Sequence, residues 1–338
     1  MRPRVVAIIM MLALGLLAAP LGSNAQQPTK IWRIGFLSPS SSSHLEKRGD
    51  PLGGRGLEAF RQGLRERGYI EGQNIAIEYR WAEGRFERLP DLAAELVRLK
   101  VDVIVAVVTQ ASLAAKNATR TIPIVTVAVG DPVGSGLVAS LAHPGGNVTG
   151  PSSMFAELAG KQLELLKETV PKASRVAVLR NPANPVWQAQ MLRETEIAAR
   201  TLGLRLQLLD ARGLEELEGA FAAMTRGRAR ALLVQADPMF SLHARRIADL
   251  AVKHRLPTMG GFRENVEAGF LMSYAPNFPD LFRRAGYYVD RILKGTKPAD
   301  LPVEQPMRFE FAINMNTAKA LGITFPQTIL IRADQVIQ

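Results

Sequence analysis

Ile122 to Val129, IPIVTVAV, is almost unbroken apolar and rich in β-branched residues. That pattern suits a strand buried on both faces, the usual state of a central parallel strand. Gly130 and Asp131 end the run. Asp131 followed by Pro132 is an N-cap before a favourable first helical residue, so a short helix through Leu141 is expected, stopped by His143-Pro144-Gly145-Gly146. The strand would then deliver a polar turn and free helix N–H groups, which favour an anionic or carboxylate group. Asn147 to Pro151 reads as a crossing into a second domain.

The same rhythm runs along the chain on both sides of this stretch. Before it come strands over Lys30–Leu37, Gln73–Trp81 and Val101–Val108, with helices over Gly54–Arg67, Phe86–Leu99 and Ala111–Arg120. After it, strands are expected at Ser174–Leu179, Leu204–Leu209, Ala229–Val234, Leu256–Met259, Phe270–Ser273 and Met307–Asn314. Helices are expected at Met154–Val170, Asn184–Leu202, Leu214–Thr225, Pro238–His254, Phe278–Leu293 and, last, Thr317–Leu321. Strands alternating with helices imply parallel sheets wrapped by helices. Two such runs, broken near Gly150, imply an α/β chain of two lobes, and 338 residues are enough for both. The tail is too short for a third domain and is expected to return and complete the lobes.

Residues 1–25 follow a different pattern. Arg2 and Arg4 precede an apolar run from Val5 to Ala19, and Ser23-Asn24-Ala25 offers small residues before Gln26. This is the layout of a cleavable secretory signal, and the run is shorter than the roughly 20 residues that span a bilayer. The chain has no cysteine, which excludes disulfides, thiolate catalysis, Cys-ligated metals and a lipid-modified cysteine. A soluble protein in a Gram-negative periplasm is the simplest destination. The formal charge is +11, and loss of Arg2 and Arg4 with the leader lowers it by two, to +9. The excess is dispersed, with no basic block interleaved with aromatics, so nucleic acid is not an expected partner.

In open α/β sheets ligands bind beyond the carboxyl ends of the strands. That rule selects Ser38 to Ser43 (Ser41 among them), Thr109, Gln110, Gly130 and Asp131 from the first lobe. From the second it selects Asn181, Asn184, Gln235, Asp237 and Tyr274. Hydroxyls and helix N-termini would hold a carboxylate and an acid would hold an ammonium, so the set suits a small polar organic ligand carrying both. Each residue also has a local reason to be there: Asp131-Pro132 and Asp237-Pro238 are sufficient as helix caps. The function rests on the collective pattern.

Signals for catalysis are poor. His44, His143, His243 and His254 form no HExxH pair, and no GxSxG elbow occurs. Gly134 to Ala139 and Gly54 to Ala59 both fit GxGxxA, but the strand–turn context of a dinucleotide site is missing at the first, where the glycine follows Asp131-Pro132. No cofactor or metal is expected. No GxxxxGK loop is present, so nucleotide hydrolysis would belong to another chain.

GFLSP, GLRERGYIEGQNIAIEYRWAEG, DPVGSGLVASLAHPGGNVTG, LMSYAPN and YYVDRILKGTKPADLPVEQP, after an export signal, resemble the substrate-binding proteins of ABC transporters in the tryptophan/tyrosine-type group. The resemblance covers essentially the whole mature chain. It implies a type I periplasmic-binding-protein fold, with residues 30–150 and 275–306 in lobe 1 and residues 151–274 and 307–338 in lobe 2. Three hinge crossings, the third near Arg308 to Ala312, and a ligand cleft between the lobes go with that fold. The implied ligand is an aromatic amino acid or related carboxylate. The implied partners are a membrane permease and its separate ATPase, with the protein itself a monomer. By resemblance Thr109, Gln110, Asp131, Asn181, Asp237 and Tyr274 occupy cleft positions. A ligand-sensing subunit of a membrane receptor and a secreted α/β enzyme remain alternatives.

Overall fold

A computed structural model describes residues 30–41, 54–183 and 185–338. The signal read over residues 1–25, Ser42, Ser43 and Asn184 lie outside the described residues. In chain order the strands are β1 (Trp32–Ser38), β2 (Ile75–Trp81), β3 (Val103–Val107), β4 (Ile124–Val127), β5 (Val148–Thr149), β6 (Arg175–Arg180), β7 (Arg205–Asp210), β8 (Ala231–Val234), β9 (Thr258–Gly260), β10 (Met272–Pro276), β11 (Phe309–Asn314) and β12 (Gln335–Ile337). The helices are α1 (Gly54–Arg65), α2 (Leu89–Arg98), α3 (Val108–Ala118), α4 (Ala159–Thr169), α5 (Pro185–Thr201), α6 (Leu214–Arg226), α7 (Pro238–Leu242), α8 (Ala244–Lys253), α9 (Arg263–Glu267), α10 (Phe278–Leu293), α11 (Met315–Leu321) and α12 (Gln327–Arg332).

These elements form two sheets. The first has five strands in the order β2-β1-β3-β4-β5, and the second seven in the order β12-β11-β10-β9-β8-β6-β7. All pairs in the first sheet are parallel. In the second, β11 runs antiparallel to β10, with Tyr274 opposite Phe311. This departs from the expectation of wholly parallel sheets. The chain leaves β10, builds α10 elsewhere, and re-enters beside the strand it left, so no crossover helix covers that connection.

The inner strands of both sheets, such as β3, β4 and β8, are buried on both faces, which is why they read as continuous apolar runs. In β3 every residue of VIVAV is buried. Val103, Val105 and Val107 face one core with Phe36 and Phe60, while Ile104 and Ala106 face another with Leu92 and Leu96. Helix α1 turns Leu57, Phe60 and Leu64 inward, as the helical spacing predicts. It lies against α10 at a contact that admits no side chain. A Cβ on Gly63 would sit 2.2 Å from the Arg283 carbonyl oxygen, and one on Gly286 would sit 2.7 Å from the Gly63 carbonyl carbon.

The chain passes between the sheets three times. The first passage follows β5, where Ser152 N–H donates to the Glu304 carbonyl at 2.8 Å. The second joins β10 to α10 through Asn277, whose side chain caps α10 by accepting the Asp280 N–H at 2.9 Å. The third runs up to Phe309. Residues 309–312 are already paired with β10, so this passage lies just upstream of the expected position.

Several local expectations are corrected. No helix follows Asp131: residues 131–141 form successive turns. The Asp131 carboxylate folds back to accept the Gly134 N–H at 2.7 Å, and Gly136 adopts φ +71°. Gly134 and Gly136 favour turns over helix. The helix expected over Pro238–His254 is broken at His243 into α7 and α8, and α9, α12 and β12 went unread.

Candidate functional site

A cavity lies where the carboxyl ends of the two sheets face each other. It contains about 420 Å³ of space not filled by atoms, part of it open to solvent. From the first lobe it is lined by Val108, Thr109 and Gln110 at the β3–α3 junction and by Ala128 beyond β4. From the second come Ser153, Phe155, Ala236, Asp237 and Phe262, and Phe278 stands at the second crossing.

The β3–α3 junction is abrupt. Val108 has φ +63° and Ala128, on the next strand end, φ +62°. A β-branched residue is rarely found there, and such strain clusters at binding sites. Its effect is to start α3 directly at the cavity wall. Val107, at the N-cap, offers no side-chain acceptor. The first turn of α3 therefore borders the cavity beside the Thr109 hydroxyl. A helix start is where backbone N–H groups favour an anion.

Asp237 faces this junction from the end of β8. Its side chain caps α7: Oδ1 accepts the Met239 N–H at 2.9 Å and the Asn181 amide at 3.0 Å. Oδ2 is buried and has no partner among the described residues. Burial pushes the Asp237 carboxyl above its ordinary value, against the pull of the bonds from Asn181 and Met239. A buried, half-satisfied carboxylate is costly until a cation completes it.

The remaining wall is aromatic. Phe262 and Phe278 have ring centroids 5.0 Å apart, and Phe155 lies 6.1 Å from Phe262 and 6.3 Å from Phe278. Tilted contacts of this kind suit the ring quadrupoles. The three rings close one core with residues of the first lobe and with Met191 of α5.

Of the sequence-selected residues, the structure brings together Thr109, Gln110 and Asp237 in the lining, with Asn181 directly behind Asp237. Asn181 also accepts the Ala183 N–H at 3.0 Å, so it is fixed from both sides. Asp131 holds its own turn and accepts a bond from the Gln190 amide of α5 at 3.2 Å. That contact crosses from one lobe to the other. Ser41 donates to the Glu83 carboxylate and does not line the cavity.

Tyr274 is also placed elsewhere. Its ring stacks on Phe309 at 5.8 Å and 9°, and its phenol is pushed up by burial and by Asp334. β10 continues through Pro276, so Tyr274 is not at the strand end. Alternation turns its side chain toward the opposite core. Sequence reasoning missed Phe155, Phe262 and Phe278. Gly260-Gly261 before Phe262 is the one available signal, because a Cβ on Gly261 would meet Phe155 Cζ at 2.9 Å.

A second contact across the lobes joins Arg55 of α1 to Glu264 of α9 at 2.7 Å. Among the described residues no cluster of His, Asp and Glu is close enough to hold a metal ion, and no helix is long and apolar enough to cross a membrane.

The family profile described as "ABC transporter substrate binding protein" matches residues 55–337. The chain belongs to that family. The tyrosine-binding protein of Clostridioides difficile strain R20291 is 30% identical to this binding protein over 269 residues, 79% of this chain and 76% of the relative. A domain from Streptococcus pneumonia solved in complex with L-Trp superposes with a TM-score of 0.81 at 28% identity, covering 91% of this chain and 100% of that one. The ligand-free, open structure of a substrate-binding protein with adhesive properties from Clostridium difficile gives 0.67 at 26% identity, covering 91% and 99%. Identity and coverage are nearly equal in the last two, yet the superposition is better on the ligand-bound structure. Two contacts, from Gln190 to Asp131 and from Arg55 to Glu264, bridge the lobes of this binding protein. The fold is that of the two-lobed type I periplasmic binding proteins.

Proposed function

We propose that this protein captures an aromatic amino acid between its lobes and hands it to a membrane permease driven by a separate ATPase. The observation that carries this reading is the buried, unpartnered Oδ2 of Asp237 in a cavity walled by three phenylalanines. The ligand ammonium would complete Asp237, which Asn181 holds in place. The ligand carboxylate would meet the N-terminal turn of α3 and the Thr109 hydroxyl, with Gln110 beside them. The aromatic ring would pack among Phe155, Phe262 and Phe278. Contacts to both lobes make the closed form the tighter binder, which is what drives closure.

The tyrosine-binding relative and the L-Trp complex support this ligand class. The assignment of residues 30–150 with 275–306 to one lobe, and of 151–274 with 307–338 to the other, belongs to the same reading. Sheet membership and the packing of α10 on α1 support it, except that Ala275 and Pro276 are paired within β10 of the second sheet. The signal pattern at residues 1–25 supports a periplasmic site of action for the cleaved, monomeric protein.

A thermal-shift panel on mature protein, refolded to strip bound ligand, tests the ligand class. It should contain the twenty amino acids, purines, sugars and small carboxylates. A ligand at 100 times its dissociation constant adds about 2.7 kcal/mol, a rise of several degrees for a protein of this size. We expect L-tryptophan, L-tyrosine or L-phenylalanine to give the largest shift. A larger shift with a sugar or purine would replace the ligand class.

A further inference from the structure

The contact between Arg55 and Glu264 lies outside the ligand cavity, since neither residue lines it. Both border a second, polar space with Arg263, Asn277 and Glu310, which meets the first at Phe278. The two side chains are 32% and 10% exposed. Arg55 also stands 3.9 Å from Glu267, which Arg263 holds at 3.0 Å. Glu310 is engaged by the Asn277 amide at 2.8 Å. Among the described residues Arg55 is thus the cation against Glu264, and it reaches across the cleft to be so.

The two residues are carried by different elements. Arg55 rides on α1, which is locked to α10 at the Gly63–Gly286 contact. Glu264 rides on α9, whose Asn265 accepts the Phe262 N–H at 2.9 Å and whose Val266 is buried in the core of the second lobe. Opening the lobes would carry Arg55 away and return the Glu264 carboxylate to water. In the closed form that carboxylate is largely desolvated, and the Arg55 bond offsets the cost.

We propose that Arg55 and Glu264 form a closing latch, outside the ligand cavity, that raises the closed population of the ligand-free protein and thereby strengthens every ligand by a common factor. The apparent affinity of a two-state binder scales with the fraction already in the competent state. A contact that exists only in the closed form and never touches the ligand changes that fraction alone, so it leaves the ratio between two ligands unchanged. The contact between Asp131 and Gln190 is a neutral-donor bond at another point of the cleft, and it serves as an internal comparison. The inference rests on the closure-driven reading above.

The test uses Arg55→Ala, Glu264→Gln and the exchanged pair Arg55→Glu with Glu264→Arg. Small-angle scattering of the ligand-free proteins reads closure, and calorimetry with L-tryptophan and L-tyrosine reads affinity. Each single variant should have a larger ligand-free radius of gyration than wild type. It should return to the wild-type radius when saturated, which also shows that it is folded. Both affinities should fall by one shared factor of about ten, and the exchanged pair should recover part of the loss. An unchanged ligand-free radius overturns the latch. So does an unchanged affinity, or a loss that differs several-fold between the two ligands. If neither amino acid binds wild type, the ligand reading falls, and the scattering comparison alone decides the latch.

Discussion

Asn181 donates its amide to Oδ1 of Asp237 at 3.0 Å and leaves Oδ2 of the same carboxylate without a partner. The pairing is asymmetric. One oxygen is spent on holding the side chain and capping α7, and the other remains available to whatever enters the cavity.

Asp237→Asn keeps the shape and the cap acceptor while removing the charge. Loss of one member of a buried charge pair costs roughly 2–5 kcal/mol, so affinity for an ammonium-bearing ligand should fall at least about thirtyfold. Asn181→Ala should fall less, because Met239 N–H still holds the carboxylate. Titration calorimetry on both variants checks the order.

Acidification should weaken binding earlier than an ordinary carboxylate would. Burial raises the Asp237 pKa in the ligand-free fold, and the ammonium requires the ionised form. Affinity should therefore be complete above that raised value and be lost as pH falls through it. The stability of the ligand-free protein runs the other way. Between the unfolded value and the raised folded value, the unfolded chain holds fewer protons, so stability falls as pH rises across that window. Asp237→Asn should flatten both profiles, read by calorimetry and by thermal melts across pH.

Gly63→Ala and Gly286→Ala should each destabilise the first lobe. The added methyl would meet backbone, 2.2 Å from Arg283 O for the first and 2.7 Å from Gly63 C for the second, and backbone cannot rotate away. Overpacking of this kind costs about 1–3 kcal/mol. A melting midpoint lower by several degrees is expected in each, whereas Gly146→Ala, with open space around its Cβ position, should change little.

Much of the fold was legible because buried parallel strands announce themselves. IPIVTVAV and VDVIVAVV leave few other arrangements. The α10 helix was readable to the residue, since Asn277 and Pro279 open it and Lys294-Gly295 close it. The turns after Asp131 were misread because its cap geometry is shared by a helix start and an Asx turn, and only Gly134 and Gly136 separate the two. The site was legible in part for a similar reason. Strand ends located Thr109, Gln110 and Asp237, but the rule gives a position and not a side. Tyr274 shows the difference, its ring turned onto Phe309. Arg55 and Glu264 lie 209 residues apart, with no local pattern linking them.

Calorimetry of ligand-stripped protein with L-tryptophan, tryptamine and indole-3-propionate tests the central claim most directly. The three share a ring and differ in which charged group they carry. If Asp237 takes the ammonium and the start of α3 the carboxylate, L-tryptophan should bind much more tightly than either analogue. Asp237→Asn should then erase the advantage of L-tryptophan over indole-3-propionate. Equal binding of L-tryptophan and indole-3-propionate by the wild-type protein would contradict the assignment.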